Sequence, residues 1–139
     1  MAEEWIAPLI TGVVGACTVS TTIWLAHRSL RIQAEQAAEK ERRLVYSRFL
    51  RATQEMSDCA ERLLVQPSDT EGMATFRKAR SEAAGILDEI RIVGSDAVQQ
   101  AAEAHLILML GGDIGRSTDS LAKSKARLID QIRQELKWR

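Results

Sequence analysis

Two histidines are the side chains best suited to proton transfer near neutral pH. His27 follows directly on a long uncharged segment, and His105 lies among apolar residues of a predicted helix. Neither has a Ser, Cys or carboxylate at a spacing that marks a nucleophile and its base, although members of such a set can lie far apart in a chain. We predict no catalytic residue, and a partly buried packing role for His105 next to Leu106 and Leu108.

Metal ions need ligands at particular spacings, and the sequence does not have them. In helical bundles the pattern is Glu-x-x-His, whereas Glu103 lies two residues before His105, so the two side chains point to different sides of a helix. The two cysteines, Cys17 and Cys59, have no C-x-x-C partner and suggest no disulfide framework. We therefore predict no metal ion, and we interpret Cys59 as a small buried apolar residue.

A glycine-rich segment, residues 111–117, invites comparison with a phosphate-binding loop. That loop has the form G-x-x-x-x-G-K-[ST] and follows a strand. Here Leu110 stands in the first glycine position, Arg116 replaces the lysine, and the preceding residues have a helical pattern. We predict an interhelical turn in which glycines supply positive φ, and we expect no cofactor.

Length and charge limit the classes of protein and partner. With 139 residues, the chain is long enough for one domain and an anchor. It has 19 basic and 19 acidic residues, and all 19 basic residues follow residue 27, where 17 acidic residues oppose them. Because basic and acidic residues are nearly equal in number, the charge does not indicate a nucleic-acid partner or an acidic substrate. In the absence of a chemical site, we also expect no small-molecule substrate.

Residues 5–26 form an uncharged segment of 22 residues. About 20 helical residues cross the hydrocarbon core of a bilayer, and Trp5 and Trp24 stand near the two ends, where indoles act as interface anchors. Arg28 and Arg31 follow the segment and no basic residue precedes it, so the positive-inside rule places residues 1–4 outside and the C-terminal part in the cytoplasm. We predict a single-pass protein of a bacterial inner (plasma) membrane.

The same segment permits two further interpretations. Gly12, Ala16 and Ser20 recur every four residues and form a small-residue face on which another helix backbone can approach closely. This face predicts packing between membrane helices. Residues 14–17, VGAC, resemble a lipoprotein cleavage site, which makes a cleaved signal peptide the alternative. Because a basic n-region is missing and apolar residues continue past Cys17, we favour a retained helix.

Helical periodicity continues after the uncharged segment, and no useful stretch alternates with period two. Residues 27–44 are rich in helix-forming residues and predict a stalk. The predicted cytoplasmic domain covers residues 45–139, with helices at about 45–65, 70–93, 96–110 and 118–138. The predicted fold class is therefore all-α, with one N-terminal transmembrane helix followed by an antiparallel helical hairpin or bundle.

Capping residues indicate where these helices begin and end. Ser68, with Glu71 three residues later, has the form of a capping box. Gly94 occupies the position of a C′ glycine, for which positive φ is usual. Ser95 or Asp96 can serve as the N-cap of the following helix.

The first two helices of the domain carry complementary apolar stripes at spacings of three and four residues. Two antiparallel helices of this length leave much apolar surface exposed to solvent. This favours assembly with another copy or with a helical partner. We predict that the stripe is the interaction surface. Its main residues are Val45, Phe49, Met56, Leu63, Phe76, Ile86 and Ile90.

Basic residues on the last helix and beside the membrane segment form a candidate lipid contact. Near an anionic bilayer each contributes ~1 kcal/mol of attraction. A solvated helix face is the alternative, and we favour it. The candidate residues are Arg28, Arg31, Lys123, Arg127, Arg133 and Lys137.

Residues 43–50, RLVYSRFL, contain the pattern R-x-x-Y-x-x-F-L. This stretch resembles one found in uncharacterised small bacterial proteins, of actinobacterial type, that join a single membrane span to a cytoplasmic helical domain. The resemblance implies the same layout and carries no activity with it.

A membrane segment, complementary stripes and no chemical site together predict a non-enzymatic protein. We expect an interaction or scaffold module at the cytoplasmic face of a bacterial membrane, with the membrane and either further copies or a helical protein as partners. Two alternatives stay open. One is a holin-like oligomer that perturbs the membrane, suggested by the hydroxyl-rich segment and the basic last helix. The other is an enzyme whose site the sequence does not reveal.

Overall fold

The computed structural model describes residues 3–111 and 118–137, with the backbone alone for residues 3–14, 16, 17 and 137. The chain divides into two compact units, Met1–Ala38 and Glu39–Arg139. Between Gly15 and Ala37, every described side chain of the first unit is exposed. The second unit contains the hydrophobic core.

The described residues form four α-helices and no strand, which confirms the all-α fold class. The helices are α1 (Glu3–Val65), α2 (Thr70–Val93), α3 (Asp96–Leu110) and α4 (Thr118–Lys137). α1 covers 63 residues. Pro8 lies in the first two turns of α1, and the next proline, Pro67, lies just beyond its end, so no proline interrupts the helix between them.

Side-chain caps begin α2 and α3. The N-cap of α2 is Asp69, whose Oδ1 accepts a hydrogen bond from the Gly72 N–H at 2.9 Å. The capping box expected at Ser68 is therefore wrong by one residue. A carboxylate caps at least as well as a hydroxyl, and Asp69 has the extended backbone that an N-cap needs. Ser95 caps α3 by accepting from the Val98 N–H, in agreement with one of the two expectations.

Gly94 ends α2 as its C-cap, in an extended conformation with φ −91°, unlike the left-handed conformation that is usual for a C′ glycine. The residue is required for space instead. A Cβ at this position would lie 3.0 Å from the Tyr46 hydroxyl oxygen and 2.8 Å from the Ile90 carbonyl oxygen. Gly111 also has a negative φ, −69°, and residues 112–117 of the predicted turn lie outside the described part.

Residues from all four helices form one core in the second unit. α1 and α4 run antiparallel here, since residues 46 and 54 of α1 bond to residues 135 and 125 of α4. α3 packs against both α2 and α4. The largest fully buried side chains include Tyr46, Phe49, Met56, Ile86, Ile90, Val98 and Leu128.

The predicted membrane segment lies in the first unit. In the part of the chain that the structure describes, no helix is both long and apolar enough to cross a membrane. The side chains of residues 3–14, 16 and 17, which make up most of the predicted segment, lie outside that description.

Candidate functional site

The predicted interaction stripe is largely part of the core of its own chain. Val45, Phe49, Met56, Ile86 and Ile90 are buried in the second unit. The two remaining members, Leu63 and Phe76, are partly buried. α3 and α4 provide the apolar surface that two helices alone would lack, so the stripes close within one chain. The polar residues that the bundle buries and the apolar residues that it leaves exposed are therefore the candidate sites.

A polar cluster surrounds the carboxylate of Glu135 on α4. Glu135 accepts hydrogen bonds from the Tyr46 hydroxyl at 2.9 Å and from the Ser95 hydroxyl at 3.0 Å, and Arg42 approaches it to 3.7 Å. Burial and the neighbouring carboxylate raise the pKa of the Tyr46 phenol well above its ordinary value. The cluster joins α1, α4 and the α2–α3 turn, and because the carboxylate has three partners we assign it a structural role.

A second polar region lines a cleft of about 200 Å³ between α1, α3 and α4, here called the His105 cleft. His105 is 3 % exposed, and its Nδ1 is buried without a hydrogen-bond partner among the described residues. Burial lowers the pKa of His105 below its ordinary 6.5, and the charge of Lys125 lowers it further. The imidazole is therefore neutral at pH 7. The other polar residues that line the cleft are Thr53, Gln54, Ser57, Glu61, Thr118 and Lys125.

Lys125 is the cation of the His105 cleft. Its side chain is partly buried, and its Nζ donates to the neutral amide oxygen of Gln54, whose own nitrogen donates to Asp58 at 2.8 Å. Within the described ranges, no carboxylate lies within ion-pair distance of Lys125. Lys123, two residues earlier, is instead paired with Asp119 at 2.7 Å. The cleft thus contains a positive charge that the described part of the protein does not neutralise directly.

An apolar lobe of about 110 Å³ adjoins the His105 cleft. The two cavities share Ser57, Glu61, Met109, Thr118 and Leu121 as lining residues. The other side chains of the lobe are mostly apolar and come from α1, α2 and α3. They include Met56, Ala60, Leu64, Phe76 and Leu108. The arrangement places hydrogen-bonding groups next to an apolar hollow, as in sites for small amphipathic molecules.

The first unit exposes large apolar side chains along α1. Val19, Ile23, Trp24 and Leu25 are each more than half exposed. The guanidinium carbon of Arg28 lies 5.4 Å from the centre of the Trp24 ring, within the range of a cation–π contact. Trp24 is thus an exposed indole beside a cation. Of the other residues predicted to contact the membrane or another helix there, Ser20 is exposed, whereas the side chains of Trp5, Gly12 and Ala16 lie outside the described part.

The predicted lipid-contacting side chains are exposed, apart from Lys137, whose side chain is not described. Several have acidic neighbours on their own helix: Arg31 lies 3.6 Å from Glu35, and Arg133 lies 4.0 Å from Asp130. Such exposed pairs contribute little to stability and leave the cations accessible.

Lys125 and Glu135 were not identified as site residues from the sequence, although a signal for both exists. The apolar face of α4 includes Leu121, Leu128 and Ile132, and positions 125 and 135 continue the same three- and four-residue spacing. A charged residue in the apolar register of an amphipathic helix indicates a buried polar contact or a cleft, and the structure contains one of each.

The fold and these sites define an all-α protein with a four-helix unit and a polar cleft. Among the described residues, no group of three or more His, Cys, Asp or Glu is placed to hold a metal ion. Cys59 is a buried free thiol. Comparisons with known protein families, curated proteins and solved structures found no match to the chain. The resemblance of residues 43–50 to small bacterial single-span proteins therefore stays a prediction.

Acidification below pH 6.5 is expected to destabilise the second unit through His105. Because burial lowers the pKa of the folded imidazole, the unfolded chain takes up a proton that the folded chain does not. The stability that is present above pH 6.5 is then lost as the pH falls through the folded pKa. One proton gives a slope of at most ~1.4 kcal/mol per pH unit. Urea unfolding of the full chain in mild detergent, followed by circular dichroism at several pH values, measures this slope.

Carboxylates also titrate at lower pH, so the quantity to compare is the slope difference between variants. His105→Leu is expected to flatten the curve near pH 6.5, whereas His27→Leu, an exposed position in the first unit, serves as the control. Equal slopes for the wild type and His105→Leu would contradict the prediction.

Proposed function

We propose that the protein is a non-enzymatic, membrane-tethered interaction module of the bacterial inner membrane. Residues 5–26 cross the bilayer with residues 1–4 outside, and the helical second unit lies on the cytoplasmic side. There the unit binds a helical partner or a second copy of the chain.

The observation that carries the tether is the apolar surface of the first unit. Val19, Ile23, Trp24 and Leu25 are exposed in the C-terminal part of the 22-residue uncharged segment. Large apolar side chains exposed together on one helix are favourably covered by a bilayer or by another protein. Arg28 and Arg31, directly after this surface, support a cytoplasmic position for the C-terminal part of the chain.

The interaction surface differs from the stripe that the sequence suggested, because the core of the chain covers that stripe. Exposed apolar residues that flank the apolar lobe are better placed. Leu64 of α1 is 61 % exposed, and Leu108 of α3 is also exposed. Both line the same lobe, so they lie close together. Val65, next to Leu64, extends the exposed apolar surface. A helical partner with an apolar face would cover these residues.

A photo-crosslinking amino acid at Leu64 tests the interaction in native membranes. The expected result is a discrete crosslinked band, either at twice the mass of the chain or at a mass that identifies one other protein. The same amino acid at Ala84, an exposed residue of α2 outside this surface, is the control and should give no band. The absence of a discrete band from position 64, or equal crosslinking from position 84, would refute the proposed surface.

A further inference from the structure

We propose that the His105 cleft and its apolar lobe bind a small carboxylate with a short alkyl group. This goes beyond a role in protein interaction, and it differs from the expectation, based on the sequence, that no small molecule is bound. The residues concerned lie far apart in the chain and meet only in the folded second unit.

The charge of the cleft favours an anion. Lys125 is partly buried, donates to the neutral Gln54, and has no carboxylate within ion-pair distance among the described residues. A lysine in such a position retains hydrogen-bond capacity, since an ammonium group has three donors. A carboxylate on Lys125 would form a charge-assisted hydrogen bond, which is stronger than a neutral one.

Glu61 also lines the cleft, and its charge opposes an anion. Its side chain is exposed, however, so water screens it. Lys125 and His105 are less exposed. The more buried charge has the larger effect on a ligand inside the cleft, because burial reduces screening. The positive charge of Lys125 therefore dominates the selection.

The size of the apolar lobe limits the alkyl group. An apolar cavity of about 150 Å³ accepts benzene, and the lobe of about 110 Å³ adjoins the His105 cleft of about 200 Å³. Together they suit a carboxylate with a short alkyl group, and the lobe is too small for a long acyl chain. Hexanoate is the probe of this class. Ser57, Thr118 and Leu121 line both cavities, so a molecule that occupies the lobe reaches the polar residues without a gap.

Titration of the full chain in lipid nanodiscs with hexanoate tests the proposal, with empty nanodiscs as the blank. Ligand-observed NMR should show saturable binding of hexanoate. In spectra of the protein, the imidazole signals of His105 should shift while those of His27 stay in place. Hexylamine, which has the same alkyl group and the opposite charge, should bind at least tenfold more weakly.

Lys125→Met should weaken hexanoate binding at least tenfold and remove the preference over hexylamine. Lys123→Met, which removes an exposed lysine on the same helix, is the matched control and should leave the affinity unchanged. If Lys125→Met does not fold, two measurements on the wild type still test the proposal: its preference for hexanoate over hexylamine, and the shifts of the His105 signals. Absence of saturable binding, equal binding of both probes, or shifts at His27 alone would overturn the proposal.

Discussion

Two arginines at the centre of the uncharged segment, introduced as Val14→Arg with Ala16→Arg, are expected to release the protein from bacterial membranes. An arginine at the centre of a membrane helix costs about 2.5 to 3.5 kcal/mol on the scale measured for insertion, so two cost about 5 to 7 kcal/mol. That is enough to shift the insertion equilibrium by roughly four orders of magnitude. Extraction of membranes with alkaline carbonate measures the change: the wild type should stay in the pellet and the variant should not.

A surface substitution separates insertion from a general effect of added charge. Ala84→Arg places an arginine on an exposed position of α2 in the second unit, and this variant should stay in the pellet as the wild type does. Retention of the double-arginine variant in the pellet would contradict a membrane-spanning role for residues 5–26, as would carbonate extraction of the wild type.

Ile90→Ala is expected to destabilise the second unit by about 2 to 5 kcal/mol. Ile90 is 0 % exposed and belongs to the core of the four helices. Removal of its side chain costs the transfer free energy of the lost carbons, and the cavity that remains adds to this. Ile92 is 83 % exposed on the same helix. Ile92→Ala should therefore change stability by less than about 0.5 kcal/mol.

The rate at which Cys59 is labelled measures the stability changes of Ile90→Ala and Ile92→Ala in the full chain. Cys59 is a buried free thiol, and in a Cys17→Ala background it is the sole cysteine of the sequence. Because a maleimide reaches it only when the bundle opens, Ile90→Ala should accelerate labelling about 30-fold or more and Ile92→Ala less than about threefold. Similar labelling rates for the two variants would show that the core does not have the described packing.

The positions of the helices follow from local signals in the sequence. The expected limits of 70–93 and 96–110 are those of α2 and α3. Pro67, Gly94 and Gly111 end continuous apolar periodicity, so these limits depend on neighbours in the chain. The capping residue was harder to assign, because Ser68 and Asp69 are adjacent and both can cap. Only the backbone conformation at each position distinguishes them.

Whether the apolar stripes pack within one chain or between chains could not be predicted, because this depends on how four helices pack. An apolar stripe has the same spacing whether it contacts the same chain or another one. Here the short helix α3 packs against α2 and α4, and it thereby helps to bury the stripes within one chain. The His105 cleft is likewise a property of packing: Gln54, His105 and Lys125 come from three helices and share no sequence motif.

Topology labelling tests the proposed membrane tether most directly. Single cysteines at Ala2 and at Ser120, in a chain without Cys17 and Cys59, are exposed to a membrane-impermeant maleimide in spheroplasts. We predict labelling of position 2 in intact spheroplasts and of position 120 only after lysis. Labelling of both positions without lysis, or of neither position until lysis, would contradict a single span with the N-terminus outside.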